Sequence, residues 1–315
     1  MPTISDIQKE YFKKLDQLDL ELLIAHTLQK SREFVLSHPE YEIPEFKIKN
    51  LKLKIARRAS GEPLSYITGR KEFFGLDFKV DKHTLIPRPE TEILVEEALE
   101  FIKTQKHKNI KTVVADIGTG SGCIIISISK YACHPELASG SLEIPDSARG
   151  RTRQVRNDNV EFYATDISKK ALTVAKQNSK THNVDKQITF LHGNLLEPII
   201  EKKELFIDHC SLIIVSNLPY LSKEVFENSP IDVKNFEPKS ALYSDNAGLA
   251  HYEELFQQVN VISESYKLKT ISCILEFSPE QKIPLEKMIA NNFPSAKTKF
   301  LRDLAGKWRV AKISL

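Results

Sequence analysis

Apolar positions along the chain change rhythm near Lys111. Before it they fall at helical spacing. Leu18, Leu20, Leu22, Leu23, Ile24 and Leu28 crowd one segment, and Leu51, Leu53, Ile55 and Ala56 recur in another at spacings read as one helix face. Pro39 and Pro44 interrupt between them, and Gly61-Glu62-Pro63 breaks the second. Residues 1–75 therefore read as a small helical domain with no chemistry of its own, a packing or docking module. Residues 76–110 read as a linker hairpin and entry helix. The aromatic run Phe73 to Val80 suits a short hairpin or a linker strand. Thr91 stands where it can cap a helix starting at Glu92, with Leu94, Val95, Ala98 and Leu99 as its apolar face.

After Lys111 short apolar runs alternate with helical stretches. The runs are Thr112–Ala115, Val160–Thr165, Ile188–Leu191, Leu212–Ser216, Thr270–Phe277 and Trp308–Ile313, with helices expected over 122–132, 168–179 and 248–266. Strand and helix in alternation predict an α/β fold with a doubly wound sheet over 111–315. Ligands of such sheets sit at the carboxyl ends of the strands, so the residues that end each strand carry the information. One segment breaks the rhythm. Residues 134–159 hold Gly140, Pro145, Gly150 and four arginines where a connection of a few residues is usual, and read as a disordered polar insert. Its phrase His-Pro-Glu-Leu-Ala-Ser-Gly-Ser resembles translated repeat elements inserted in some bacterial genes.

Composition narrows this only a little. A hydrophobic fraction of 41% and a charged fraction of 28% suit a globular protein, and a net charge of +3 demands no nucleic-acid partner. No run approaches the roughly 20 apolar residues of a membrane helix, and Met1 to Lys14 lack the apolar centre of a signal peptide. The four cysteines show no zinc spacing, and Cys123 and Cys273 sit in apolar runs as free thiols do. A cytoplasmic protein without a metal is expected.

The first strand runs into Asp116-Ile117-Gly118-Thr119-Gly120-Ser121-Gly122, then a helix. Glycines allow a sharp turn and close approach of a ligand to the backbone, and the helix start offers free N–H groups. The spacing is G-x-G-x-G, with Cys123 at the third dinucleotide position, which disfavours a nicotinamide cofactor, and no Lys-Ser/Thr follows to make a P-loop. The next strand ends in Asp166, an acid able to accept both hydroxyls of a ribose, although Asp166 or Ser168 can equally cap the following helix. The third ends in Asn194-Leu195, where Asn194 can reach an adenine edge. The adjacent His192 is assigned no role. Loop and Asp166 together resemble the cofactor half of class I S-adenosylmethionine methyltransferases, a family that often has Asp where Asn194 stands.

The fourth strand ends in Asn217-Leu218-Pro219-Tyr220. This is similar to the Asn-Pro-Pro-Tyr motif of methyltransferases acting on planar nitrogens, with Leu218 in place of the first proline. The Asn217 side-chain oxygen and the Leu218 carbonyl can each accept an N–H from such a nitrogen, orienting it and stabilising the positive charge that develops there. Tyr220 can pack its face on the substrate amide, and Pro219 keeps the loop extended. Losing one proline removes one fixed φ angle from the turn but no acceptor. Asn217 is also counted among the cofactor contacts.

The tetrad alone does not separate adenine from glutamine. Gly61-Glu62-Pro63, Tyr66-Ile67-Thr68-Gly69, Ile86-Pro87-Arg88-Pro89-Glu90-Thr91-Glu92, Phe236-Glu237-Pro238 and Arg302-Asp303-Leu304-Ala305-Gly306 with Arg309-Val310 resemble the HemK/PrmC family of release-factor glutamine N5-methyltransferases. The resemblance implies a seven-stranded Rossmann-like sheet, S-adenosylmethionine as cofactor, and a monomer whose helical domain docks peptide-chain release factors. The substrate it implies is the glutamine of their Gly-Gly-Gln motif. The Pro-Arg-Pro-Glu-Thr-Glu loop would border the active site, Arg88 either helps to hold it or forms a helix-entry salt bridge, and Glu237 either supports the tetrad loop or serves structure alone. The alternatives are an adenine methyltransferase on DNA or RNA, a methyltransferase of a ribosomal-protein glutamine, and a non-catalytic cofactor-binding scaffold.

Overall fold

The computed structural model describes residues 1–107, 110–132, 159–206 and 209–315. Five helices open the chain: Ile4–Tyr11, Gln17–Leu28, Arg32–Ser37, Glu45–Ala59 and Leu64–Thr68. Side-chain caps start three of them. Thr3 and Asp6 form a reciprocal capping box, Asp16 accepts from the Leu18 N–H and Ser31 from the Phe34 N–H. Ile4, Leu20, Leu23, Ile24, Leu51, Ile55 and Ile67 close a core of their own. Leu53 and Ala56 do not join it and face outward, a correction to the face read above. Positions one or two apart lie on different sides of a helix, so Leu51 and Ile55 share a face and their neighbours do not.

The aromatic run is a hairpin, β1 (Arg70–Phe73) with β2 (Leu76–Lys79), and it begins three residues earlier than expected. Phe74 and Gly75 turn it with positive φ angles of 51° and 71°. A short 3-10 turn, Pro89–Thr91, then leads into the helix Glu92–His107. Thr91 does not cap that helix as expected. Its hydroxyl donates instead to Glu276, 185 residues further along the chain.

Seven strands form the main sheet: β3 (Thr112–Ile117), β4 (Val160–Asp166), β5 (Ile188–His192), β6 (Ser211–Ser216), β7 (Thr270–Glu276), β8 (Lys297–Arg302) and β9 (Trp308–Ser314). Their spatial order is β5-β4-β3-β6-β7-β9-β8. All pairs are parallel except those of β9 with β7 and β8. The expected helices appear as Cys123–Ala132, Lys169–Thr181 and Ala250–Ser265. The runs named from sequence are strands within a few residues of their expected ends. The edge strand β8 and the helix Lys282–Asn292 were not anticipated.

Every residue of β3 and β6 is buried, as expected of central strands covered on both faces. The pleat divides them: Val113, Ala115, Ile117, Leu212 and Ile214 enter the core built with the helix Ala250–Ser265, while Val114, Ile213 and Val215 enter the core built with the helices Glu92–His107 and Cys123–Ala132. The strand order reverses between β3 and β6, and this switch point opens a crevice at their carboxyl ends. Asn159 lies at the opposite end, where its carbonyl accepts from the Thr112 N–H at 2.8 Å. The insert expected over 134–159 otherwise falls outside the described residues. Among the described residues no helix is long and apolar enough to cross a membrane, and Cys123, Cys210 and Cys273 are buried free thiols.

Candidate active site

The crevice is lined by three strand ends and their loops. After β3 the chain turns back on β4, with the N–H groups of Gly118 and Thr119 both donating to the Thr165 carbonyl, at 3.0 and 2.9 Å. Gly118 and Gly120 have φ angles of 72° and 56°, and a Cβ on either would meet no atom closer than 3.7 Å. These two glycines therefore leave space above the backbone. Gly122 serves packing, since a Cβ there would stand 2.8 Å from Ile126 and 3.1 Å from Ala175.

At the end of β4, Asp166 accepts from the Gly120 N–H at 2.9 Å and the Ser168 N–H at 2.8 Å. Burial holds its carboxyl above the usual range. Helix capping falls to Ser168, whose hydroxyl accepts from the Ala171 N–H. Asp116 is fully buried under the loop. One of its oxygens accepts from the Thr119 hydroxyl at 2.7 Å, and the other has no partner among the described residues. Burial pushes Asp116 up to about 7. Beyond β5, Asn194 donates its amide nitrogen to Glu254 at 2.6 Å. Leu195 adopts a φ of 47° while its carbonyl accepts from the Thr165 hydroxyl at 2.7 Å.

The tetrad follows β6. Ser216 ties the two central strand ends together by donating to the Ile117 carbonyl at 2.5 Å. Asn217 follows and donates its side-chain nitrogen to the Thr91 hydroxyl at 3.1 Å. The Leu218 side chain is buried in the core, with its Cδ2 3.7 Å from where a Cβ on Gly118 would stand. Tyr220 turns its hydroxyl to Glu276 at 3.2 Å, and its carbonyl accepts from the Gln281 side chain at 2.9 Å. Burial, with the Glu276 charge adding to it, raises the Tyr220 phenol well above its ordinary value.

The crevice brings together Gly118, Thr119, Gly120, Ser121, Asp166, Asn194, Leu195, Asn217, Leu218 and Pro219. Gly122 and Tyr220 are not among its lining residues.

Three groups in or beside the crevice were given no role from sequence, although Arg309-Val310 stands among the motifs that carry the resemblance. Glu276 ends β7 as Asp166 ends β4, and an acid closing an apolar strand was the available signal. It is 1% exposed, and burial raises its carboxyl. Arg309 at the start of β9 bears on both Glu276 and Tyr220 by its charge and is itself held by Asp303 at 3.1 Å. His251 lines the crevice with a ring nitrogen 2.7 Å from the Ser244 hydroxyl, and nothing in its sequence surroundings marks it. Arg88 borders the crevice and is ion-paired to Glu237, whose other oxygen accepts from the Ile86 N–H at 3.2 Å. The pair ties the proline-rich loop to the segment that follows the tetrad.

Residues 9–69 match the family model described as PrmC N-terminal domain, and residues 87–261 match N-6 DNA Methylase. The release factor glutamine methyltransferase of Clostridium botulinum is 34% identical over 297 residues, covering 94% of this chain and 91% of the relative. The chain belongs to the release factor glutamine methyltransferase family. The relative from Enterococcus faecalis is 32% identical, covering 88% of this chain and 84% of its own length. That from Clostridium acetobutylicum is 37% identical over 75% of this chain and 71% of its own. The second family model spans the half that carries the crevice, and the matches over the whole chain carry the glutamine methyltransferase name.

Proposed function

We propose that this chain methylates the side-chain amide nitrogen (N5) of the glutamine in the Gly-Gly-Gln motif of peptide-chain release factors. S-adenosylmethionine is the methyl donor. The observation that carries the reading is the meeting of the glycine loop, Asp166 and Asn217 in one crevice at the switch point of the sheet. The residues fit the cofactor. Gly118 and Gly120 leave the backbone open to close approach, and Asp166, though bonded to two N–H groups, keeps lone pairs for ribose hydroxyls. With its nitrogen on Glu254, Asn194 has its oxygen left for an adenine amino group. Thr119, Ser121 and Leu195 complete the lining, and Gly122 lets the loop pack closely on Ala175 and Ile126.

When bound, the cofactor supplies an electrophilic methyl group on a sulfonium. The protein's task is to present a poor nucleophile to it. An amide lone pair is delocalised, and acceptors on its two N–H bonds favour the state in which nitrogen gains positive charge. The Asn217 oxygen and the Leu218 carbonyl take those positions. Pro219 and Tyr220 hold the loop that presents them, with Tyr220 anchored on Glu276. The bound sulfonium would give up its methyl group to the nitrogen and keep the electrons of the C–S bond. The nitrogen then loses a proton to solvent, so no dedicated base is required. The helical N-terminal part docks the release factor, and the enzyme works as a cytoplasmic monomer without stable nucleic-acid binding.

The N-6 DNA Methylase match keeps adenine methylation as the second reading. Labelled S-adenosylmethionine offered with a release factor, its Gln-to-Ala variant and RNA or duplex DNA separates the two. Label on the intact release factor alone is expected. Label on nucleic acid alone, or equally on both release factors, overturns the proposal.

A further inference from the structure

Asn217 can act as described only if its carboxamide points the right way. The two ends of that group are nearly equal in size and opposite in hydrogen-bonding character. Turned over, it would present N–H groups to the substrate N–H, which repels what it should hold. Something in the fold must set the orientation, and the tetrad does not contain it.

The Thr91 hydroxyl stands between two partners. It donates to a Glu276 oxygen at 2.6 Å and faces the Asn217 side-chain nitrogen at 3.1 Å. A hydroxyl owns one proton, and an ionised carboxylate only accepts. With that proton committed to Glu276, Thr91 meets Asn217 with lone pairs alone. The end of Asn217 that faces it must then be the NH2, and the oxygen is left for the crevice.

Thr91 is 2% and Glu276 1% exposed, so no solvent competes for these bonds. Burial raises the Glu276 carboxyl, and against it the Thr91 hydroxyl, the Arg309 charge and the Tyr220 hydroxyl on the other oxygen favour the ionised form on which the relay depends. The partners come from three separate places, the turn before the helix Glu92–His107 and the ends of β6 and β7, so the arrangement is tertiary rather than local. The β-branch of Thr91 further limits where its hydroxyl can point.

We propose that Thr91 and Glu276 are positioning residues that fix which end of the Asn217 carboxamide faces the substrate. The inference rests on the reading that Asn217 accepts an N–H from a planar nitrogen. Glu276 directs the Thr91 proton, and Thr91 transmits that choice to Asn217. Thr91→Val keeps the shape and removes the hydroxyl; Thr91→Ser keeps the hydroxyl and removes the methyl group.

The test uses the full chain, with a release factor as substrate and S-adenosylmethionine affinity measured by calorimetry. Thr91→Val is expected to lower kcat about 30- to 100-fold, with little change in KM or cofactor affinity. Thr91→Ser is expected to stay within about fivefold of the wild type on the same basis. A packing role predicts the reverse order, since serine is the smaller residue. Thr91→Val at wild-type kcat, or Thr91→Ser as impaired as Thr91→Val, overturns the relay. A second readout needs no turnover. The Asn217 side-chain NH2 signals, assigned by their loss in Asn217→Ala, are expected to exchange with solvent faster in Thr91→Val, and an unchanged exchange rate counts against the relay. If the wild type methylates adenine and not glutamine, the substrate reading fails alone, and the Thr91 variants are scored on adenine.

Discussion

Gly248 lies flat against the Tyr220 carbonyl, so close that a Cβ on it would overlap that oxygen and crowd the Gln281 amide. The approach is forced by a left-handed run, Asn246, Ala247 and Gly248, with φ angles of 52°, 53° and 84°. Gln281 braces the run by donating to the carbonyls of both Tyr220 and Ala247, at 2.9 and 3.0 Å. Gly248→Ala must therefore push the tetrad backbone or unwind the left-handed turn. A loss of kcat above about tenfold is expected with cofactor affinity little changed, because a small displacement of acceptor groups is costly to rate. Single-turnover kinetics beside calorimetry on the variant would check it, and an unaltered rate would show the loop yields without consequence.

Asn217→Ala removes the side-chain acceptor and leaves the glycine loop and Asp166 in place. Transfer is expected to fall to background, with S-adenosylmethionine affinity within a few-fold of the wild type. Turnover at the wild-type rate would remove the tetrad from the mechanism.

Arg88→Ala strands Glu237, whose side chain is 1% exposed, with only the Ile86 N–H as partner. Breaking a buried pair from one side costs about 3 kcal/mol or somewhat more, and the one-third exposure of Arg88 puts this case at the lower end. Denaturant unfolding measures it. A cost under about 1 kcal/mol would place the pair with ordinary surface bridges.

Asp116 makes the cofactor-free protein sensitive to alkali. Its folded-state value of about 7 stands above the ordinary 3.8, so the folded state holds the proton more tightly than the unfolded chain does. The stability it contributes is full below the ordinary value and is lost as pH rises toward about 7. Asp116→Asn, which cannot ionise, is expected to melt above the wild type at pH 8 and level with it at pH 4. Thermal melts at the two values decide this, and equal melting points at pH 8 would contradict it.

Removal of residues 134–158 is expected to preserve turnover, because β4 begins beside Thr112 at the end of the sheet away from the crevice. Loss of folding in the shortened chain would show that the segment is structural.

The central strands were legible because their burial is continuous: Val113 to Ala115 and Leu212 to Val215 are unbroken apolar runs, with the candidate site residues just past the strand ends. The edge strand β8 was not, because Lys297, Thr298 and Lys299 are exposed and leave no apolar signature. Leu53 misled by composition, being apolar and outward. At the site, Gly118 to Gly122, Asp166 and Asn217 could be found because each follows a strand at a fixed offset. Thr91 could not be placed, since local rules make it a cap, and only the fold supplies a partner 185 residues away. Glu276 had the same position as Asp166 but no neighbouring motif to single it out.

The sheet order has a consequence for how the molecule is made. β9 comes last among the strands along the chain, yet it lies between β7 and β8. Until it arrives, β7 offers an unpaired edge and β8 has no partner, a state open to association with other chains. Arg309, which bears on Glu276 and Tyr220, travels on that same strand. The strand that completes the hydrogen-bonded ladder thus also brings the Arg309 charge to Glu276 and Tyr220, and a chain interrupted before Trp308 should be both inert and prone to aggregate.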